Sequence, residues 1–509
     1  MIRLAGIINS GMVIQRDVAY KIWGYEDMAE YVFVMIEGMS MMGKVENGQF
    51  MIEMPPHEAA RNVHMSISGS CSIELTDICF GDVFYLSGQS NMELPVYRTM
   101  DVSEEEIRAS HYPYIRQYRV TPAFELAEDA SIDLPEQPWT CADGEELMQF
   151  SAAGFYCAKR IYDKKKVPIG LVLGAQGGST IEAWMPSSLL PENGTNQKTM
   201  APFMKEGELA AYLQKQEQLN AQWRAALESA EDETNRREIP ANAGDFTVPG
   251  LLRKQDGNAF TGIVWFYKEV ELQQEPSKDA FLYLGNLIDA DQTFINGVLV
   301  GRTEYRYPPR KYPFDGSILR RGKNLIAVRL LIENGDGGFV GAHPYYLRAG
   351  DEQVSIEGDW KIVYGQTPVS PLPVGVRGQV VPTALYKTSV LPLRNYAFRG
   401  NWWYQGESNT DEPEGYAEKF QALMSHWRQL YEQTMPLICI EMPDYSDPIS
   451  GEMPDGWTSI QAQQRQAQQD LPDCVVVSAK DLMTPLELHP QRKSELGQRM
   501  AEAALKLYY

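Results

Sequence analysis

The sequence predicts a mixed α/β chain: a parallel sheet with flanking helices, preceded by a small β-sandwich and interrupted by a second all-β module. Three observations carry that prediction. Short apolar runs separated by Gly, Asn and Asp turns fill residues 1 to about 78. From Gly81 strand-like runs alternate with helical stretches, the texture of a parallel sheet. Between about 245 and 366 the pattern reverts to all-β, and α/β texture then resumes. The divisions are 1–78, 79–244, 245–366 and 367–509, the second and fourth forming one α/β unit. At 509 residues the chain exceeds a single core, so several domains are expected.

In the first division Met12 to Ile14, Tyr20 to Trp23, Tyr31 to Ile36, Phe50 to Met54, His64 to Ser68 and Ser72 to Leu75 read as short strands of an antiparallel sandwich. Val83 to Leu86 is a buried strand, Ser151 to Lys164 a helix, and Gly170 to Leu173 a second buried strand opening into Gly174 to Trp184. Residues 203 to 238 are charged and Ala- and Gln-rich, and read as a solvated helix or helical hairpin. In the inserted module Ile263 to Val270, Ala280 to Leu284, Gln292 to Ile295, Asn324 to Leu331 and Trp360 to Val363 are strands. Asn296-Gly297 gives the strongest hairpin signal. The module's aromatics, Trp265, Tyr267, Tyr305, Tyr307, Tyr312, Tyr345 and Tyr346, are of a kind that stacks on sugar faces, but aromatic residues also favour strands for packing alone. Val380 to Pro392 is an apolar run that leads through Gly400 into the polar loop Asn401 to Asn409. Then follow helix Tyr416 to Gln433, strand Leu437 to Glu441, helix Trp457 to Gln468, strand Cys474 to Ser478 and terminal helix Ser494 to Tyr508.

Composition narrows the function. A formal charge of −22 argues against nucleic acid and anionic membrane surfaces, both of which call for basic patches. No apolar run is long enough to span a bilayer. Six cysteines without a C-x-x-C pair read as free thiols, and no zinc site is expected. The first residues lack a signal-peptide pattern. Together these features predict a cytoplasmic location, an expectation that a secreted form trimmed of its signal would equally satisfy.

Ser90 stands just beyond the strand Val83 to Leu86, where ligands bind in open α/β sheets. Gln89 and Asn91 flank it. Met92 replaces the glycine of a G-x-S-x-G elbow, and taken alone the stretch reads as readily as a polar turn. A serine nucleophile needs a positioned base. Of the six histidines, His57 and His64 lie in the sandwich, His343 in the inserted module, His426 mid-helix and His111 in a polar loop. His489, after the last strand and ahead of Pro490, belongs at the same sheet edge as Ser90. Glu487, or else Asp481, can orient its imidazole. The N–H groups of Ser90 and Gly178 suit an oxyanion hole, and Gln405 can add a side-chain amide. Glu407 reads as a buried carboxylate bonded to loop backbone, or as a competitor for the histidine. Gln89, Asn91, Glu407 and Asn409 form a polar rim, for substrate or for structure.

The motifs GQSNM at 88–92, GGSTIEAW at 177–184, WYQGESN at 403–409 and His489-Pro490 followed by Lys493 resemble those of the sialate O-acetylesterase group of SGNH hydrolases. The resemblance spans nearly the whole chain. It implies a flavodoxin-like three-layer α/β/α hydrolase domain, an inserted jelly-roll-like (galactose-binding-like) module, and hydrolysis of acetyl esters on carbohydrates with no metal or organic cofactor. It also implies Ser90 as nucleophile, His489 as base, and Ser90, Gly178 and Gln405 around the oxyanion. The wider superfamily places Asp three residues before the histidine; here that position is Leu486, which favours Glu487.

The expected function is therefore a carbohydrate O-acetylesterase working through a serine acyl-enzyme. Its substrate is 9-O-acetylated sialic acid or, alternatively, an acetylated oligosaccharide derived from xylan, xyloglucan or mannan. A non-catalytic carbohydrate-binding protein and a long-chain lipase or thioesterase are rivals from other classes. Oligomeric state is left open.

Overall fold

The computed structural model describes all residues except 128–132, 192–193, 229–235, 258, 307, 448–449 and 483–485. Its centre is a sheet of parallel strands in the order Tyr112–Arg119, Ile169–Leu173, Ser72–Gly88, Gly400–Tyr404, Leu437–Glu441 and Cys474–Ser478, with Thr140–Ala142 antiparallel at one edge. From Ser72–Gly88 the chain goes first to Tyr112–Arg119, returns to Ile169–Leu173 between the two, then crosses to build outward on the other side. The strand order thus reverses beside the segment that delivers Ser90.

Both faces of this sheet are buried, which is why its strands read as unbroken apolar runs. Along 83–86 the side chains alternate between two cores. Phe84 and Leu86 pack with Ala152, Phe155, Ile161, Leu496 and Met500 from helices Ala152–Lys165 and Lys493–Leu507. Val83 and Tyr85 point the other way, into a core holding Phe420, Leu423, Trp427 and Ile460 from helices Tyr416–Tyr431 and Trp457–Asp470. Ser151 caps its helix by accepting from the Gly154 N–H at 3.0 Å, a standard use of serine at this position.

The expected separation at residue 78 is not visible as a break. Ser72 to Gly88 is one strand of 17 residues. Its first half pairs with Ala60–Ser68 and Val13–Gln15, its second half with the parallel strands. Only Arg3–Leu4, Tyr20–Tyr25 and Gln49–Met54 form a sheet of their own. Gly81 allows the continuity: a Cβ there would stand 2.0 Å from the Pro168 carbonyl oxygen. A further strand, Met39–Lys44, pairs with Tyr31–Ile36 and was absent from the sequence reading.

Residues 244–364 form two antiparallel sheets of six and five strands. Phe246, Val264, Phe266, Leu282, Leu284, Ile326, Val328, Leu347 and Trp360 share one core. Asn296 and Gly297 both carry positive φ (50° and 81°), the geometry of a tight hairpin turn. Trp265, Tyr267, Tyr312 and Tyr345 are buried packing residues, whereas Tyr305 is exposed; Tyr307 lies outside the described residues.

The helix expected over 203–238 occupies Glu208–Glu228, and the stretch 229–235 lies outside the described residues. It is not merely solvated. Trp223 and Leu227, one turn apart, pack on Ile263, Trp265, Tyr267, Phe294 and Leu331, the outward face of the six-stranded sheet. Residues 386–393, expected as part of a strand, are helical turns, and the strand proper is Gly400–Tyr404. All six cysteines are free thiols.

Candidate active site

Ser90 is the first residue of a four-residue helical turn at the carboxyl end of the central strand, so its N–H has no partner within the helix. Gly88 makes the approach possible: it has φ +112°, and a Cβ there would lie 2.2 Å from the Tyr404 carbonyl oxygen. This contact brings the Tyr404–Asn409 loop against the Ser90 turn. Gln89 fixes that loop, its Oε1 accepting from Gln405 Nε2 (3.1 Å), the Gly406 N–H (3.2 Å) and the Ser408 N–H (3.2 Å).

The Gly177–Gly178 turn forms the opposite side. The Gly177 N–H donates to Glu93 Oε2 at 2.7 Å, and Arg119 holds the other oxygen at 2.9 Å. Glu93, which the motif reading passed over, therefore ties the glycine turn to the helical turn bearing Ser90. Gly178 takes φ +72°, and among the described residues its N–H meets no backbone acceptor.

Ser90, Gly178 and His489 line one cleft of about 970 Å³, with Glu93, Arg98, Arg119, Tyr305, Arg377, Gln379 and Glu407 around them. His489 also borders an adjoining cavity that reaches the inserted module at Asn286, Arg306 and His343. Burial, then the charges of Arg98 and Lys493, holds the imidazole down to about 3. It is thus neutral near pH 7, the form in which it can accept a proton.

Glu487 lines the adjoining cavity beside His489. Burial pushes its carboxyl up to about 7; Lys493 and the Gln491 backbone N–H oppose that shift, and Asp101 adds to it. Asp481, the alternative acid, is engaged elsewhere. Its carboxylate is exposed and takes Arg499 at 2.6 and 2.7 Å, which pulls it down to about 2.

Asn91 is a strut between the Ser90 turn and the segment around His489. Its Nδ2 donates to the Leu488 carbonyl (3.1 Å), next to His489, and to Glu407 Oε1 (2.7 Å), while its Oδ1 accepts from Lys493 Nζ (2.7 Å). Lys493 is fully buried, and burial brings its amine down to about 7 against the pull of Glu407 and Glu487. Glu407 is held by the Asn91 amide and by its own backbone N–H, and burial raises its pKa. Among the described residues its Oε2 has no hydrogen-bond partner.

Gln405 departs from expectation. Its Nε2 lies 2.7 Å from Asn409 Oδ1, 3.0 Å from the Ser179 carbonyl and 3.1 Å from Gln89 Oε1, and its Oε1 accepts from Tyr416 at 2.8 Å. Two amide hydrogens face three acceptors, and the side chain is fully buried. No donor is left for an oxyanion, so Gln405 is a keystone of the loop. Asn409 is likewise consumed, accepting from the Ile181 N–H (2.9 Å) and donating to Glu182 (3.0 Å).

The remaining histidines lie off the cleft or on its far side. His57 pairs with Glu37, His64 with Glu74 and His111 with Asp143. His426 meets Tyr386 and His343 meets Tyr283. Asp101 joins the inserted module to the base loop, accepting from Tyr283 (2.9 Å) and Gln491 (2.9 Å) and pairing with Lys311. Among the described residues no group of three or more His, Cys, Asp or Glu is arranged to hold a metal ion.

The model of the carbohydrate esterase, sialic acid-specific acetylesterase family matches residues 80–229 and 380–506, more than half of the chain. The chain is 27% identical to human sialate O-acetylesterase over 222 residues, 40% of this chain and 42% of that protein. It is 24% identical to the rat enzyme over 366 residues, 66% of this chain and 62% of that one. These matches therefore span less than two thirds of either relative. The crystal structure of a carbohydrate acetylesterase from Xanthomonas citri superposes with TM-score 0.59 at 18% identity, covering 100% of this chain and 76% of that one.

Proposed function

The chain belongs to the sialic acid-specific acetylesterase family of carbohydrate esterases, and from that premise we propose that it hydrolyses acetyl esters on sugars through a Ser90 acyl-enzyme. The observation that carries the reading is the convergence of Ser90, Gly178 and His489 on one cleft at the carboxyl end of the central strand. In this reading the neutral His489 imidazole takes the Ser90 proton as Oγ attacks the acetyl carbonyl carbon. The resulting oxyanion sits against the N–H groups of Ser90 and Gly178. His489 then protonates the departing sugar hydroxyl, and a water repeats the sequence to release acetate. Glu487 stabilises the imidazolium as it forms.

The finer architecture belongs to the same proposal. Residues 79–244 and 367–509 make up a flavodoxin-like SGNH hydrolase domain, 1–78 a β-sandwich, and 245–366 a jelly-roll-like module. The support is the reversal of strand order beside Ser90 and the shared core of the two antiparallel sheets. The substrate class is an acetylated carbohydrate, as in the relatives' names. Among the described residues no helix is long and apolar enough to cross a membrane.

The test is acetate release from an activated acetyl ester by the native chain and by Ser90→Ala. Loss of activity in the variant is expected. Equal rates in both sink the serine mechanism, and no release by either moves a sugar-binding role ahead.

A further inference from the structure

With Gln405 sealed inside its own loop, the oxyanion site needs side-chain donors from elsewhere, and the segment returning from the inserted module brings two. A Cβ built on Gly178 would stand 3.5 Å from Gln379 Nε2 and 3.7 Å from Arg377 Nη1. Both side chains line the cleft with Ser90 and His489. Neither makes a hydrogen bond or ion pair with any described residue, whereas Arg119, the other arginine near the glycine turn, is already paired with Glu93. They are polar donors beside the glycine turn with no acceptor among the described residues.

The segment that carries them is held in place. The Pro373 carbonyl accepts from Gln216 Nε2 at 2.5 Å, and the Val376 N–H donates to Tyr212 Oη at 3.1 Å, both on helix Glu208–Glu228. Gly378 sits so close to Phe124 that a Cβ would come within 2.7 Å of its ring. The turn Gly378–Val380 closes on itself and is followed by the Thr383 N–H donating to the Glu182 carbonyl at 3.0 Å. Donors fixed before charge develops are the ones that stabilise a transition state.

We propose that Gln379 is the side-chain donor of the oxyanion hole, with the Arg377 guanidinium beside it, in the role the motif pattern gives to Gln405. The inference rests on the acetylesterase reading. When Ser90 Oγ bonds to the acetyl carbon, the carbonyl π pair moves onto oxygen and the serine proton goes to His489. Gln379 Nε2, with the Gly178 and Ser90 N–H groups, meets that oxygen, and the positive charge of Arg377 offsets it. When the pair returns, the sugar oxygen leaves with the proton from His489; Gln379 and Arg377 exchange no proton.

The experiment is steady-state hydrolysis of 4-nitrophenyl acetate by the full chain, its Gln379→Leu and Arg377→Met variants, and Gln405→Leu. A small ester isolates the oxyanion from sugar contacts. Gln379→Leu is expected to lower kcat by about 10²-fold and Arg377→Met by about 10-fold, with KM within about twofold and unchanged melting. Gln405→Leu is expected to lower the melting temperature. A native chain that hydrolyses the ester while Gln379→Leu and Arg377→Met keep its kcat overturns this inference alone. So does Gln405→Leu that melts like the native chain but loses kcat. A native chain without activity overturns the acetylesterase reading and this inference with it.

Discussion

Replacing Glu487 with glutamine is predicted to make the protein more stable and less active, and the gain should depend on pH. The carboxyl lies at about 7 in the fold against an ordinary 4.5, chiefly because burial disfavours its charge. A raised acid pKa means that the folded chain holds a proton the unfolded chain has given up. Stability is therefore complete below the unfolded value and is lost as pH rises through the window from about 4.5 to about 7. At 1.36 kcal/mol per unit the loss reaches about 3 kcal/mol, and water entering the cleft reduces it to about 2 kcal/mol. Glutamine keeps the shape and never ionises, so it escapes this cost. Urea unfolding of the two proteins at about pH 5, 7 and 9 should show a difference that is small at the first and about 2 kcal/mol at the last. Acetate release should fall by about 10²–10⁴, and in the native chain should rise as pH passes about 7. A stability difference that is flat with pH, or that favours the native chain at pH 9, refutes the reasoning.

Lys493→Met should behave in the same spirit with a different window. Its amine is lowered from 10.5 to about 7, so the charged form is penalised below about pH 7 and the penalty fades as pH rises towards 10.5. Melting should favour the variant more at pH 6 than at pH 10, and the reverse order contradicts it. Gly178→Ala has room for its methyl, whose nearest neighbour is 3.5 Å away, but must hold φ +72°; a stability loss of about 1–2 kcal/mol, read by urea unfolding, should accompany a lower kcat. Asn91→Ala removes the three hydrogen bonds that join Ser90's turn to Leu488, Glu407 and Lys493; kcat should drop with KM little changed, and a change in KM alone would argue against a strut. Trp223→Ala should cost about 3–5 kcal/mol in chemical unfolding, and a cost under about 1 kcal/mol would contradict its packing role.

The position of Ser90 at a strand end was legible from the apolar run Val83 to Leu86 broken by small and polar residues, although that stretch alone reads as readily as a polar turn. His489 was legible by elimination and by its place ahead of the terminal helix. Gly178 could be read from two adjacent glycines after a strand. What the sequence hid depends on long-range contact. Gln405 lies in a motif that advertises a donor, yet its hydrogens go to Gln89, Ser179 and Asn409, partners up to 316 residues away. Arg377 and Gln379 sit in a Pro- and Gly-containing connection with no periodicity, and only the fold brings them to Gly178. The 17-residue strand was split in two because Asp77 and Gly81 look like turn residues. Asp77 instead takes φ +57° within the strand, and Gly81 accommodates the Pro168 carbonyl. Trp223 and Leu227 did carry a one-turn spacing, which the surrounding Glu, Gln and Lys residues masked.

That long shared strand sets what can be taken apart. A chain begun at residue 79 would lose the first seven residues of Ser72–Gly88, together with the pairings to Ala60–Ser68 that hold them. It would open the core in which Val83 and Tyr85 stand with Val34, Ile67 and Phe80. The N-terminal strands are thus no detachable appendage for a domain-swapping or truncation scheme. They are the proximal end of the beam whose distal end carries Ser90, and removing one end should unseat the other. The module at 244–364 is tied in as well, through Asp101 to Tyr283 and Lys311 and through Trp223 and Leu227 on its six-stranded sheet, so its removal would strip those side chains of their partners.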